Sequence, residues 1–393
     1  MPGKKFIYLD YAATTPLDVR VYRAMKPFVK TKTARYGNPH SLHRAGQCAR
    51  REVDAARVQV AEYLACQPHE VIFTSGATES NNIAILGLLE PGQHGITTAI
   101  EHASVMAPFE ALEKRGVAVS YSKPSTDGLI DVADILENVR LETRFVSVHY
   151  VNNEIGTIQP IAEIAKALGE INSRRLADQK IFFHTDAAQA ASFLPLRVAE
   201  LGVDALTLTG HKMSGPKGVG VLYRRTGMPM RPLFFGGSQE YKLRPGTLNV
   251  AAIVGQGAAA RLLQASAERE SAAKRMRILR DRLLAGIQRY IPDVVVNGDM
   301  RRRAPSNLNI SFPDVDGENL LIILDKAGIA VSAGSACSAG ATEPSHVLRA
   351  IGVTRPLLDS SLRITLGTQT RRRDIDAAIK KIIQTVRHLR AAN

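Results

Sequence analysis

Through the first 225 residues, short apolar runs alternate with amphipathic or alanine-rich segments. The runs at 71–73, 96–100, 117–121, 145–148, 181–184 and 205–208 read as buried strands, and segments such as 104–114 and 161–171 as helices between them. This rhythm predicts an α/β fold, a mainly parallel sheet wrapped by helices. In such sheets ligands sit at the carboxyl ends of the strands. The chemistry is therefore expected just after each run.

The run 205–208 delivers Thr209, His211 and Lys212 into a turn of Gly210, Gly215, Pro216, Gly218 and Gly220, before a second run at 219–223 leads away. A lysine desolvated at a glycine-rich strand end has a lowered pKa and a nucleophilic amine suited to Schiff-base chemistry. Thr209 and His211 offer a hydroxyl and an imidazole to a phosphate. The order required of a Walker loop is absent. After 71–73 comes Thr74-Ser-Gly-Ala-Thr-Glu-Ser80, where Gly76, Ala77 and Thr78 suit an anion cradle at a helix start. Plain N-capping by Ser75 or Thr78 is the competing reading. His102 is either a capping residue or a flat partner for a cofactor ring. The Asn152-Asn153-Glu154 run is either a carboxylate- or phenolate-binding site or a turn. Asp186, two residues past His184 on the same strand face, could keep a pyridinium nitrogen protonated, and Gln189 could reach a phenolic oxygen. His184, Asp186 and His211 also match an iron-binding pair of histidines plus a carboxylate, but that reading leaves Lys212 without a role.

Past 234 an irregular loop ends in Arg244-Pro-Gly-Thr247, a further hydroxyl for a phosphate. A long helical stretch at about 250–290 then bridges into a second domain with strands near 294–296, 307–312 and 362–366. There Cys337 stands among glycines, alanines and serines, none of which packs a core, so the thiol is read as a reactive nucleophile. Cys48 and Cys66 fall in and at the end of a helical stretch and read as small buried hydrophobes. Arg363, on the strand after two serines, is a candidate clamp for a substrate carboxylate.

Composition narrows the classes. No apolar run approaches the ~18 residues of a membrane span, no signal peptide is visible, and three cysteines without metal or disulfide spacing suit a reducing cytoplasm. The net charge of +14 raises nucleic-acid binding, but the cations are scattered, aromatics are 5% and tryptophan is absent. Direct nucleic-acid binding is not expected; acidic protein partners account for the charge as well.

Together the motifs resemble a cysteine desulfurase of the NifS/IscS type, among the type I, aspartate-aminotransferase-like enzymes dependent on pyridoxal 5′-phosphate. The matching segments are Tyr8-Leu-Asp-Tyr-Ala-Ala-Thr-Thr-Pro16, Gly37-Asn-Pro39, the 73–80 run, Glu101-His102, Val151-Asn-Asn-Glu-Ile-Gly156, His184-Thr-Asp186, the 210–218 turn, Arg244-x-Gly-Thr247, Gly334-Ser-Ala-Cys337, Glu343-Pro344 and Ser361-x-Arg363. They span nearly the whole chain in the family's order.

The resemblance implies a large cofactor domain with a seven-stranded sheet at 16–259. A smaller α+β domain would combine 1–15 with 260–393 and carry the cysteine loop at about 330–343. It implies that Lys212 holds the cofactor, and that Lys212 with His102 moves protons. His102 stacks on the ring, Asp186 pairs with its nitrogen, and Arg363 and Asn153 hold the substrate carboxylate. Cys337 takes the sulfur of L-cysteine as a persulfide, releasing alanine. Thr247 reaches the phosphate of a neighbouring subunit, so a homodimer is implied, with no metal. Sulfur then passes to acceptor proteins for iron–sulfur cluster assembly or thiolation. Thr209 stands where serine is usual, Tyr150 where histidine is common, and Ser238 and Lys242 alter the loop before Arg244. The chain ends at Asn393, just past its last helix, where relatives serving the general scaffold often continue, so a thiolation protein or a specialised cluster assembly is an open alternative acceptor. Another enzyme of this fold, such as a selenocysteine lyase, and a non-catalytic interaction protein are the rival readings.

Overall fold

The computed structural model describes residues 6–30, 35–333 and 344–392. The apolar runs become one seven-stranded sheet in the order Val71–Thr74, Gly220–Arg224, Ala205–Thr209, Phe182–Asp186, Thr143–Ser147, His94–Thr98 and Ala118–Ser122. Gly220–Arg224 runs antiparallel to both neighbours and the other pairs are parallel. Alternate side chains enter different cores. Val71, Phe73, Leu206, Leu208 and Val221 pack into one, with the helices Arg44–Leu64, Ile161–Asn172 and Val250–Gln264. Ile72, Ala205 and Leu222 pack into the other, with Ala77–Leu86 and Ala103–Glu113. Burial on both faces is why these strands read as continuous apolar runs.

A third core joins Ile7 and Leu9 to Leu279, Leu283, Leu308, Ile310, Phe312, Leu362 and Ile382. Its sheet is antiparallel, in the order Ser332–Ala333, Ser361–Thr365, Asn307–Ser311 and Val295–Val296. The N-terminal strand Ile7–Tyr8 pairs with Ile329–Ala330, and Asp10 bridges to Thr365. The expected single helical stretch at 250–290 is two helices, Val250–Gln264 and Ser266–Gln288. They divide at Ala265, whose ψ of 93° breaks the helix. The first helix serves the first of these cores and the second this one, so the chain has to turn between them.

The irregular loop past 234 has an anchor. Glu240, Tyr241 and Lys242 have φ of 43°, 58° and 64°, a conformation costing ~1–2 kcal/mol per L-residue. What holds it is a buried ion pair. Arg57 donates from Nη1 and Nη2 to the two carboxylate oxygens of Glu240 at 2.9 and 2.5 Å, and the Phe73 amide donates to the same carboxylate at 2.8 Å. Glu240→Ala leaves the Arg57 cation buried without its partner and is expected to destabilise the chain by about 3–5 kcal/mol. The double variant Arg57→Met/Glu240→Leu is expected to recover most of that loss; chemical denaturation of the three proteins measures both.

Candidate active site

A cavity of about 500 Å³ opens at the carboxyl ends of the parallel strands. Its floor begins with the cradle after Val71–Thr74. The helix Ala77–Leu86 starts behind Gly76, and no side chain among the described residues caps it. Ser75 instead donates its amide to Glu79 at 2.6 Å, and Glu79 also accepts from Arg244 at 2.8 Å. Burial of Glu79 works against its charge, yet these two hydrogen bonds hold its carboxyl below the ordinary range. The amides at the start of the helix therefore face the cavity with the positive end of the helix dipole. A Cβ on Gly76 would meet nothing nearer than Thr209 Oγ1 at 4.0 Å, so it would occupy the space a phosphate needs. Beneath it, a Cβ on Gly220 would lie 2.5 Å from the Gly76 carbonyl carbon. The antiparallel strand passes directly under the cradle.

The other walls come from successive strand ends. Thr209 is buried, and its hydroxyl donates to the Val219 carbonyl at 3.2 Å. His211 meets the Thr14 hydroxyl at 3.2 Å. Burial, aided by the cations of Lys212 and Lys217, pushes its imidazole down to about 4, so His211 is neutral at physiological pH. Lys212 Nζ and Gln189 Nε2 both donate to the Ala12 carbonyl, the latter at 2.9 Å. Asp186 ends its strand with Oδ1 accepting from the Ala188 amide at 2.9 Å and Oδ2 from Asn81 Nδ2 at 2.7 Å. His102 caps the helix Ala103–Glu113 through Nδ1, so the capping and cavity-wall readings hold together. In the Asn-Asn pair the roles divide. Asn152 Oδ1 accepts from the Glu154 and Ile155 amides and makes the turn, while Asn153 lines the cavity.

The fold thus brings Gly76, Ala77, Thr78, His102, Asn153, Asp186, Gln189, Thr209, His211 and Lys212 to one cavity. Thr247 is exposed and not among the cavity-lining residues. Arg363 is also not among them, and is fully buried, donating to Asp10 at 2.8 Å and to the Asn153 carbonyl at 3.1 Å. Among the described residues its Nε has no hydrogen-bond partner. Cys337 lies outside the described residues. The chain on either side of 334–343 is held near the same motifs. Ser332 pairs with Arg363, Ser345 donates to Glu154 at 2.5 Å, and His346 reaches the Glu101 carbonyl at 2.8 Å.

One reading from the sequence needs correction. Cys48 and Cys66 are only partly buried; Cys66 sits against the core edge, where burial raises its thiol to about 12. His184 is a core residue, its ring nitrogens meeting the hydroxyls of Ser147 and Thr207 at 2.8 and 3.1 Å. Burial lowers it to about 4. Among the described residues no cluster of three or more histidines, cysteines or carboxylates is arranged to hold a metal ion. Sequence reasoning missed Asn81, Ser104, Ala12, Thr14 and His149. His149 stands with Nδ1 3.1 Å from Glu101, a fully buried carboxylate also fixed by Thr98. A polar residue in a largely apolar segment was the available signal for His149, whereas Asn81 lies in the polar run Thr78-Glu-Ser-Asn-Asn82 and carries no such mark.

Pyridoxal 5′-phosphate fits these residues. The uncapped helix start and the open space over Gly76 suit its phosphate, the Asp186 carboxylate suits its ring nitrogen, and the Lys212 amine suits its aldehyde carbon. Two outcomes follow. Gly220→Ala is expected to lift Gly76 and weaken cofactor retention by at least about 10-fold, roughly 1.4 kcal/mol, read from cofactor absorbance after dialysis. Burial raises the Glu154 carboxyl from 4.5 to about 7. Its folded-state pKa lies above the unfolded one, so its contribution to stability is full below pH 4.5 and lost as pH rises through about 7. Glu154→Gln is expected to remove that slope from pH-dependent denaturation curves.

The class-V aminotransferase family profile matches residues 7–378. The cysteine desulfurase IscS of Dictyoglomus turgidum is 44% identical over 98% of this chain and 96% of its own. A solved NifS-like protein superposes with a TM-score of 0.89 at 34% identity, covering 98% and 100% of the two chains. A structure described as SspA in complex with cysteine gives 0.79 at 34% identity, covering 93% and 99%. With its cavity, fold and relatives in agreement, this chain belongs to the pyridoxal-phosphate-dependent class-V aminotransferases, and within them to the cysteine desulfurases of the NifS/IscS type.

Proposed function

We propose that the chain takes sulfur from L-cysteine and passes it to an acceptor protein through a persulfide on Cys337. The observation that carries this reading is the meeting of Lys212, Asp186, His102 and an uncapped helix start in one cavity. When bound, pyridoxal phosphate supplies an electron sink for the substrate's carbon framework. The Asp186 carboxylate keeps the ring nitrogen protonated. The Lys212 amine would take the proton from Cα and return it nearby. Asn153 lines the cavity and offers a donor to the substrate carboxylate, and Arg363, bound to the Asn153 carbonyl, is the second candidate in this reading. The Cys337 thiolate attacks the substrate sulfur, the sulfur–sulfur bond forming as the carbon–sulfur bond breaks. L-cysteine and the enzyme thiol thereby become L-alanine and an enzyme persulfide with no outside oxidant. Ser332, Ser345 and His346, on either side of 334–343, are held by Arg363, Glu154 and the Glu101 carbonyl.

The working form in this reading is a homodimer, with residues 16–259 as the cofactor domain and 1–15 with 260–393 as the smaller one. Thr247 is exposed beside the Arg244–Glu79 ion pair, and Tyr36, Leu42 and Phe235 are 82%, 89% and 90% exposed. In this reading Thr247 would serve the partner's cradle across the interface between copies. The acceptor is a protein of iron–sulfur cluster assembly or of thiolation, in a reducing cytoplasm.

Cys337→Ser is expected to lower sulfide release from L-cysteine by at least on the order of 100-fold while leaving cofactor absorbance intact. Unchanged turnover excludes the persulfide route, and turnover confined to selenocysteine favours the lyase. Borohydride reduction and peptide mapping are expected to place the cofactor on Lys212 alone. Phe235→Glu is expected to convert dimer to monomer in sedimentation.

A further inference from the structure

We propose that Asn81 and Ser104 are positioning residues that hold His102 with its ring proton on Nε2 and tie it to Asp186. The inference rests on the proposed placement of His102 and Asp186 about the bound cofactor, and deepens it.

The direction of each hydrogen bond is forced. An ionised carboxylate only accepts, so Asp186 Oδ2 must face the nitrogen of the Asn81 amide, at 2.7 Å. Turning that amide would set oxygen against carboxylate. The same nitrogen has a second N–H, which it gives to Ser104 Oγ at 2.8 Å. The Ser104 hydroxyl already accepts there, so its own proton is available to His102 Nδ1, also at 2.8 Å. The Ser104 backbone amide donates to the same ring nitrogen at 3.0 Å. Nδ1 has a single lone pair; with two donors aimed at it, it carries no proton. The ring proton is therefore on Nε2. Asn81 and Ser104 are buried and Asp186 is 7% exposed, so water competes little for these bonds.

The chemical consequence is a division of labour. A neutral histidine in this form offers its Nε2–H as a hydrogen-bond donor, keeping that proton, and cannot take another at Nδ1 without losing both its cap and the Ser104 hydroxyl. Proton abstraction then belongs to Lys212. His102 is a donor and a rigid face, and Asn81 makes its form depend on the charge at Asp186.

Nitrogen-15 NMR of histidine side chains in the full-length holoenzyme reads the tautomer, with His102 assigned by the signals lost in His102→Gln. The wild type is expected to show a protonated Nε2 and an unprotonated Nδ1. Asn81→Ala and Ser104→Ala leave the backbone amide as the one fixed donor to Nδ1 and are expected to raise the population of the other tautomer measurably above that in the wild type. They should lower kcat by about 10-fold, the usual scale for an outer-shell partner, with KM for L-cysteine within about twofold. Ser104→Thr is expected to restore both. Ser104→Ala keeps the backbone cap, so it remains informative if Asn81→Ala folds poorly. A wild-type His102 protonated on Nδ1 overturns the proposal, as do unchanged tautomer and kcat in Ser104→Ala. If the wild type shows the expected tautomer, lost in Ser104→Ala, but releases no sulfide from L-cysteine, the activity reading falls and the positioning role stands.

Discussion

The site depends on one backbone crossing. Gly220 passes so close under Gly76 that the smallest side chain would intrude on the peptide unit above it. That contact lets the loop after Val71–Thr74 lie flat across its antiparallel neighbour and start a helix immediately, its first amides turned to the cavity. A residue with a Cβ at either place would fill the cradle or lift it. The parallel strands beside it then end at matching depth, so Thr209, Asp186 and Asn153 follow their strands into the same space.

Much of this was legible along the chain because parallel α/β architecture links order to position. A run of apolar residues marks a strand, and the polar residue that follows marks the ligand end. Lys212, Asp186, His102 and the 76–78 cradle could be placed by that rule before any contact was known. Thr247 and Arg363 could not, since neither follows a strand of the large sheet and their surroundings are set elsewhere. Thr247 is exposed in this chain, and Arg363 is engaged by Asp10 across 353 residues of sequence.

What stayed illegible shares a physical character. Asn81 is a polar residue inside a helix whose neighbours are core, and its bonds to Ser104 and Asp186 exist only once three elements are packed together. The Arg57–Glu240 pair spans 183 residues, and neither partner differs in sequence from the many charged residues on the surface. The break at Ala265 was missed because alanine favours helix; two separate cores, each drawing in one half of the stretch, override that local preference.

The partner of the lysine amine has a consequence of its own. The Ala12 carbonyl belongs to a segment fastened at Leu9 to Ala330 and at Asp10 to Thr365, both in the smaller sheet system, and at Thr15 to His211 on the cofactor side. A slight tilt of one half of the molecule against the other would tug that carbonyl toward or away from the amine. The carbonyl that receives the lysine amine is thus held in place from both halves at once.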